Sequence, residues 1–347
     1  MGLGTIPGML QARKASAWVP VLMIFATLLA TIALPGVALA IGDNIQYWSR
    51  EFPRADFTKR AVDISEIRSD GATRDTIRPI IKPIFKPVKD ASGMGEMEPV
   101  VSVEIDFDAR AYPLRLLVWH ELVNDELANV PILVSYSPLT NSARVYDRRA
   151  DGKATPFGNT GRTRHFDTIM YDAATQSWWQ RYSGSAILGA SVGKELKALV
   201  SRVESLARFR ARHPDAEVMV PADPPERPYG STPYVRMDST PGHGLEAYPL
   251  PKEIKPLDRV VVVGGEAWPF KRLQEKGAIE RGNLYIAWEP GQNSAHDTKW
   301  IHFGRDVGNV VVRRYDSDNE EWADELHTIA FAFAFSAFHP EGVFHPW

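Results

Sequence analysis

The chain has 347 residues, 44% hydrophobic and 24% charged, with a net charge of −3. That composition excludes a disordered or multi-span membrane protein, and no basic run interleaved with aromatics draws it to nucleic acid. Cysteine is absent, which removes disulfides, thiol catalysis, Cys-ligated zinc and lipidation at a leader cysteine; a metal would need His, carboxylate or Met ligands.

In chain order, Arg13 and Lys14 precede the apolar run WVPVLMIFATLLATIAL, which ends at Pro35 and Gly36 before Ala38 and Ala40. A basic start, an apolar middle, a helix breaker and small residues flanking a cut form the layout of a secretory signal peptide over 1–40, with cleavage after Ala40. The expected localisation is therefore periplasmic or secreted, with no membrane span after cleavage. About 300 residues remain, enough for a large core and about two domains. Residues 41–97 read as an irregular N-terminal arm with one helix near 60–68.

Two later segments read alike. PVVSVEIDFDARAYPLRLL at 99–117 and LDRVVVVGGEAWPFKRL at 257–273 each run from a β-branched strand through a turn to Ala, an aromatic, Pro and a short helix. LARFRARHPDAEV from 206 and FAFAFSAFHPEGVF from 331 each lead into His-Pro and an acidic residue. Pro113 thus aligns with Pro269 and His213 with His339. The pattern predicts an internal duplication with units at 98–222 and 256–347, the second shortened, joined by a Pro/Gly-rich linker at 223–255.

The fold class expected is α+β and β-rich: two related strand-rich units with short peripheral helices. Period-two alternation predicts strands at 100–106, 131–137, 143–147, 217–220, 259–263, 284–288 and 309–315. Helices are predicted at 113–118, 201–212 and 322–338, the last presenting Phe331, Phe335 and Phe338 to the core.

The run from VSVEIDFDARAYPLRLLVWHELVND through ILVSYSPLTNSARVYDRR and FGNTG to IMYDAATQSWWQ and ARHPD resembles the bacterial family labelled domain of unknown function 3179. The resemblance is strong over 98–222 and weaker over the C-terminal unit. It implies an exported bacterial protein and brings no reaction with it. Many relatives resemble Tyr-Cys-Pro-Leu-Cys at the turn after Tyr136, where this chain has Ser137 and Thr140. A Ser/Thr pair neither forms a disulfide nor binds soft metals well.

That turn, Ser137, Pro138, Leu139, Thr140, Asn141 and Ser142, reads as an exposed hairpin tip at the rim of a binding cleft. Replacing Ser137 and Thr140 by Ala is then expected to alter ligand affinity more than stability. WHELVND at 119–125 begins like a zinc-protease helix, but Asn124 stands where the second His belongs; His120, Glu121, Asn124 and Asp125 could still line a polar pocket. In FGNTGRTRHFDTIMYD, Gly158 and Gly161 permit close backbone approach, while Arg162, Arg164, His165 and Asp167 suit an anion or a proton donor and acceptor. Trp178 and Trp179 divide between core and cleft. GASVGKE fails as a phosphate loop and DSDNEEWADELH as a calcium loop. No G-x-S-x-G elbow occurs.

Two functional classes follow. The first is a non-catalytic exported module binding a small anion, envelope component or partner protein through Tyr136, Ser137, Thr140, Arg162, Arg164 and Trp179. No cofactor and no metal is expected. The second is a hydrolase or metal-assisted enzyme with His120 or His165 as base and Asp125, Asp167 or Asp172 orienting it.

Overall fold

The run around Val100, Val101 and Val103 forms the strand Pro99–Ile105, which turns at Asp106 and Phe107 and returns as Asp108–Pro113. Pro113 fixes extended backbone (φ −64°, ψ 135°), and a helix begins at Leu114. In this computed structural model, residues 40–345 are described apart from Asp70, Asp151 and His243, together with Met1. The predicted signal segment lies outside the described residues save for its two ends. Among the described residues no helix is long and apolar enough to cross a membrane.

The described α-helices are α1 (Ala40–Glu51), α2 (Leu114–His120), α3 (Leu206–Arg212), α4 (Phe270–Lys276) and α5 (Ala332–Phe338). All are short and the rest of the ordered chain is strand-rich, which makes the protein a β-rich α+β fold. One sheet has the order Ser201–Ser205, Pro99–Ile105, Asp108–Pro113, Glu217–Val220, Ile84–Pro87. A second has the order Thr328–Phe331, Arg259–Val263, Glu266–Pro269, Val343–Phe344.

The first four strands of one sheet match the four of the other in order and direction, antiparallel, antiparallel, then parallel. The connections match as well. Pro113 and Pro269 share backbone angles at the strand-to-helix joints before α2 and α4. After α3 and α5, His213 (φ −134°, ψ 70°) and His339 (φ −131°, ψ 70°) close the helices alike.

Each unit adds an antiparallel meander: Leu122–Leu127, Val130–Ser137 and Ser142–Asp147 in the first, Ala278–Arg281, Leu284–Glu289 and Asn309–Asp316 in the second. The first unit also inserts the strands Phe157–Arg164, Asp167–Asp172, Trp178–Gln180 and Ala186–Leu188, and Ile67–Ser69 of the N-terminal arm completes them as a five-stranded sheet. Arg162, Arg164, His165, Asp167, Asp172 and Trp179 all belong to this insertion. One hydrophobic core runs through both units, joining Val101, Leu117 and Val134 to Val261, Trp268 and Val312.

The seven predicted strands form within a residue of their expected limits. Three helix predictions are corrected. Near 60–68 there is only a 3-10 turn, Ile64–Glu66, before the strand Ile67–Ser69. In 201–212, residues Ser201–Ser205 pair with Pro99–Ile105 and only the remainder is helical. In 322–338, Glu321–Asp324 and Thr328–Phe331 are strands. In both of the latter, ladder pairing to a buried strand outweighs helical periodicity.

Candidate functional site

The hairpin joining Val130–Ser137 to Ser142–Asp147 closes with Ser137 opposite Ser142 and Asn141 in the left-handed region (φ 50°). Its tip is not exposed. Ser137 and Thr140 are 0% accessible and Asn141 1%, because the tip is driven into the second unit. There Phe331 N donates to Thr140 O (2.8 Å), Thr328 Oγ1 donates to Ala143 O (2.7 Å), and His296 Nε2 donates to Pro138 O (2.8 Å). Burial holds His296 down at about 3, so it is neutral and its proton sits on Nε2.

The expected cleft rim is thus a sealed joint. Tyr136, also buried, donates its hydroxyl to Asn141 Oδ1 (3.1 Å), and Thr140 Oγ1 lies 2.8 Å from Ser142 Oγ and 3.4 Å from Asp167 Oδ1. Ser137→Ala/Thr140→Ala is accordingly expected to act on stability. Most of the loss should come from Thr140, whose buried hydroxyl is bonded; removing it should cost about 1 kcal/mol, read as a lower urea midpoint, and an unchanged midpoint would contradict the joint.

Beneath the tip lies an ionic network. Asp167 Oδ2 accepts from Gln180 Nε2 (2.7 Å) and Tyr182 N (2.9 Å). Glu121 Oε2 accepts from Arg181 Nη1 (2.7 Å) and Thr168 Oγ1 (3.0 Å), and Arg181 also donates to Tyr136 O (3.0 Å) and to Asn159 Oδ1. Glu121, Asp167 and Arg181 are all at most 1% exposed. Burial pushes both carboxyl pKa values up against the pull of Arg181.

Glu121 reaches this network from an unusual backbone. It caps α2 with φ 62°, where the matching cap of α4 is Gly277 at φ 74°. Glycine adopts that region without a Cβ penalty and glutamate does not. The first unit therefore tolerates about 1 kcal/mol of strain and gains a carboxylate under the hairpin.

His120, one residue earlier, faces elsewhere. Its Nδ1 donates to Arg78 O (2.8 Å) and its Nε2 lies 2.6 Å from Tyr229 Oη. The pair borders a cleft of about 230 Å³ whose lining includes Ile80, Leu116 and Met219 and the charged Arg78, Lys82 and Glu226. Burial lowers the His120 pKa and raises that of Tyr229. Arg78 and Lys82 are exposed, and neither joins an ion pair among the described residues.

A family model described as Protein of unknown function (DUF3179) matches residues 74–342. The chain belongs to this family. No curated protein matches it, and no solved structure does. The DUF3179 span takes in the sealed hairpin and the cleft, and leaves out α1 and the strand Val343–Phe344.

Other candidates within the DUF3179 span have structural partners. Arg162, 0% exposed, pairs with Glu51 of α1 (2.5 Å) among the rings of Tyr47, Trp48, Phe52 and Trp178. Arg164 pairs with Glu66 (2.7 Å). His165 has its Nε2 3.4 Å from Glu66 and its Nδ1 3.3 Å from Tyr248 Oη, and packs on Phe338. Asp172 accepts from Thr175 and from Trp179 Nε1 (3.0 Å), which places Trp179 in the core beside Phe157.

Asp125 is held by Arg110 (2.9 Å) and Tyr112 Oη (2.7 Å). Gly161 does permit a close approach, but to the chain's own Ala72 and Thr73. His120 and His165 share no partner, so the two proposed bases do not converge. Among the described residues no three His, Asp or Glu side chains cluster to hold a metal. Sequence reasoning missed Arg78, Lys82, Glu226 and Tyr229. Tyr229 lies in the Pro-rich stretch read as linker, where a Pro-Tyr pair occurs twice, at Pro228–Tyr229 and Pro233–Tyr234, and nothing local marks the first.

Proposed function

We propose that the protein is an exported, non-catalytic binding module for a small anionic ligand, and that the ligand enters the His120–Tyr229 cleft. One observation carries this reading: Arg78 and Lys82, exposed and without ion-pair partners among the described residues, line a concavity shared with Ile80, Leu116 and Met219. The cleft is smaller than the roughly 300–1,000 Å³ of drug-sized sites, which favours a compact ligand. Export is supported by the layout of residues 1–40. Descent of the two units from one duplicated gene is supported by their matching strand order and paired Pro and His joints.

The enzyme alternative with His120 or His165 as base has less support. The free nitrogen of His120 is occupied by Tyr229. Moving the phenol proton onto imidazole is uphill by about 5 kcal/mol at reference pKa values, and burial shifts both groups the unfavourable way.

Calorimetric titration with acetate and inorganic phosphate tests the proposal. Binding is expected in the millimolar range, and Arg78→Ala/Lys82→Ala should weaken it on the order of tenfold. The melting temperature should hardly move, since exposed charges contribute little to stability. No binding up to about 10 mM, or equal binding by the double variant, would overturn it. Export is checked by sequencing the mature N-terminus, expected at Ile41.

A further inference from the structure

The Arg78 carbonyl is an acceptor only, so His120 must carry its proton on Nδ1 to bond it, which leaves Nε2 with a lone pair. At 2.6 Å the partner of that lone pair is the Tyr229 hydroxyl, whose proton is thereby committed to His120. Toward the cleft the phenol oxygen can then only accept. A ligand at this wall must bring a donor.

The lining also carries charges of both signs, Glu226 against Arg78 and Lys82. The Glu226 carboxylate lies close enough to raise the pKa of both His120 and Tyr229. Arg227 acts on both in the opposite sense but does not line the cleft. The lining thus offers acceptors at Tyr229 Oη and Glu226 and cations at Arg78 and Lys82. It also includes Ile80, Leu116, Met219 and Val220, with Ile81 and Ile84 nearly half exposed at the lip.

We infer that the cleft takes a zwitterion of amino-acid size with an apolar side chain, its ammonium on Tyr229 Oη and Glu226 and its carboxylate between Arg78 and Lys82. This rests on the cleft being the binding site, and it narrows the ligand from any small anion to one that also donates. A bare anion satisfies only the cationic edge. A bare amine satisfies only the acceptor wall and meets two uncompensated cations. An apolar body recovers about 25 cal/mol per Å² of surface buried against the isoleucines.

Titration of the intact protein with L-leucine, N-acetyl-L-leucine, L-leucinamide and acetate is the test. L-leucine should bind on the order of tenfold more tightly than either blocked form. Tyr229→Phe, which keeps the ring, should erase the preference over N-acetyl-L-leucine. Arg78→Ala/Lys82→Ala should erase the preference over L-leucinamide; circular dichroism checks that both variants are folded. If N-acetyl-L-leucine or acetate binds as tightly as L-leucine, the zwitterion inference falls while the anion-binding reading stands. If none of the four binds, both fall.

Discussion

Arg181→Ala is expected to lower stability by about 3–5 kcal/mol, the usual consequence of removing one partner from a buried ionic group. Among the described residues the guanidinium is the only cation bonded to Glu121, and its field is the largest influence drawing the Asp167 carboxyl down. Its loss leaves two carboxylates in the core with hydroxyls, amides and backbone N–H groups alone. Tyr136 O and Asn159 Oδ1 lose a donor at the same time. Arg181→Lys should recover little of this, since one ammonium cannot reach three acceptors along a planar fork. Urea denaturation decides it: a loss below about 1 kcal/mol would mean that the network is screened like a surface pair.

The same variant has a pH signature. Burial raises the folded pKa of Glu121 and Asp167 above an unfolded value of about 4, so the folded state keeps protons that the unfolded chain releases. Each group's contribution is therefore complete below about pH 4 and drains away as pH rises through the raised folded value. Without Arg181 those folded values rise further. The deficit of Arg181→Ala should accordingly be larger at pH 8 than at pH 5, opposite to the usual loss of carboxylate pairs in acid.

The strands were readable as short runs rich in β-branched and aromatic residues bounded by turn residues; Val130–Ser137 and Arg259–Val263, buried at nearly every position, needed no more than that. The joints were harder. Ser201–Ser205 and Thr328–Phe331 continue directly into helices without a glycine or proline between them, so the helical pattern spreads backwards over the strand. The hairpin tip misled for a different reason. Hydroxyls and amides at a turn are read as solvated, and nothing local to 137–142 reveals that Phe331 and His296, more than 150 residues away, cover it. Arg162, read as an anion ligand, and Asp172, read as an orienting carboxylate, instead bond Glu51 and Thr175. Of the proposed bases only His120 reaches the cleft, and Tyr229 joins it through a long-range contact that no periodicity encodes.

Asp238→Asn is the second variant with a large expected effect. The Asp238 side chain is 1% exposed and accepts from Ser294 Oγ (2.7 Å), Arg259 (3.0 Å) and Arg305 (2.8 Å). Arg305 is 44% exposed, so its pair is worth little; Arg259 is 8% exposed and lies over the Phe331 ring, beside the sealed hairpin. Stranding Arg259 should cost about 3 kcal/mol, against less than about 1 kcal/mol for Arg305→Ala. Burial alone would raise the Asp238 pKa, but Arg259, Ser294 and Arg305 outweigh it and hold the group at about 2. Its contribution is thus complete above the unfolded value of about 4 and is lost as pH falls toward 2. The gap in stability between the parent protein and Asp238→Asn should be full at pH 7 and shrink steadily below pH 4. Because Asp238 fastens the turn Met237–Ser239 of the Pro/Gly-rich segment to the second unit, the variant should also be cut faster by protease within 223–255. A gap independent of pH would assign the loss to shape rather than to charge, and unchanged proteolysis would remove the segment from its effect.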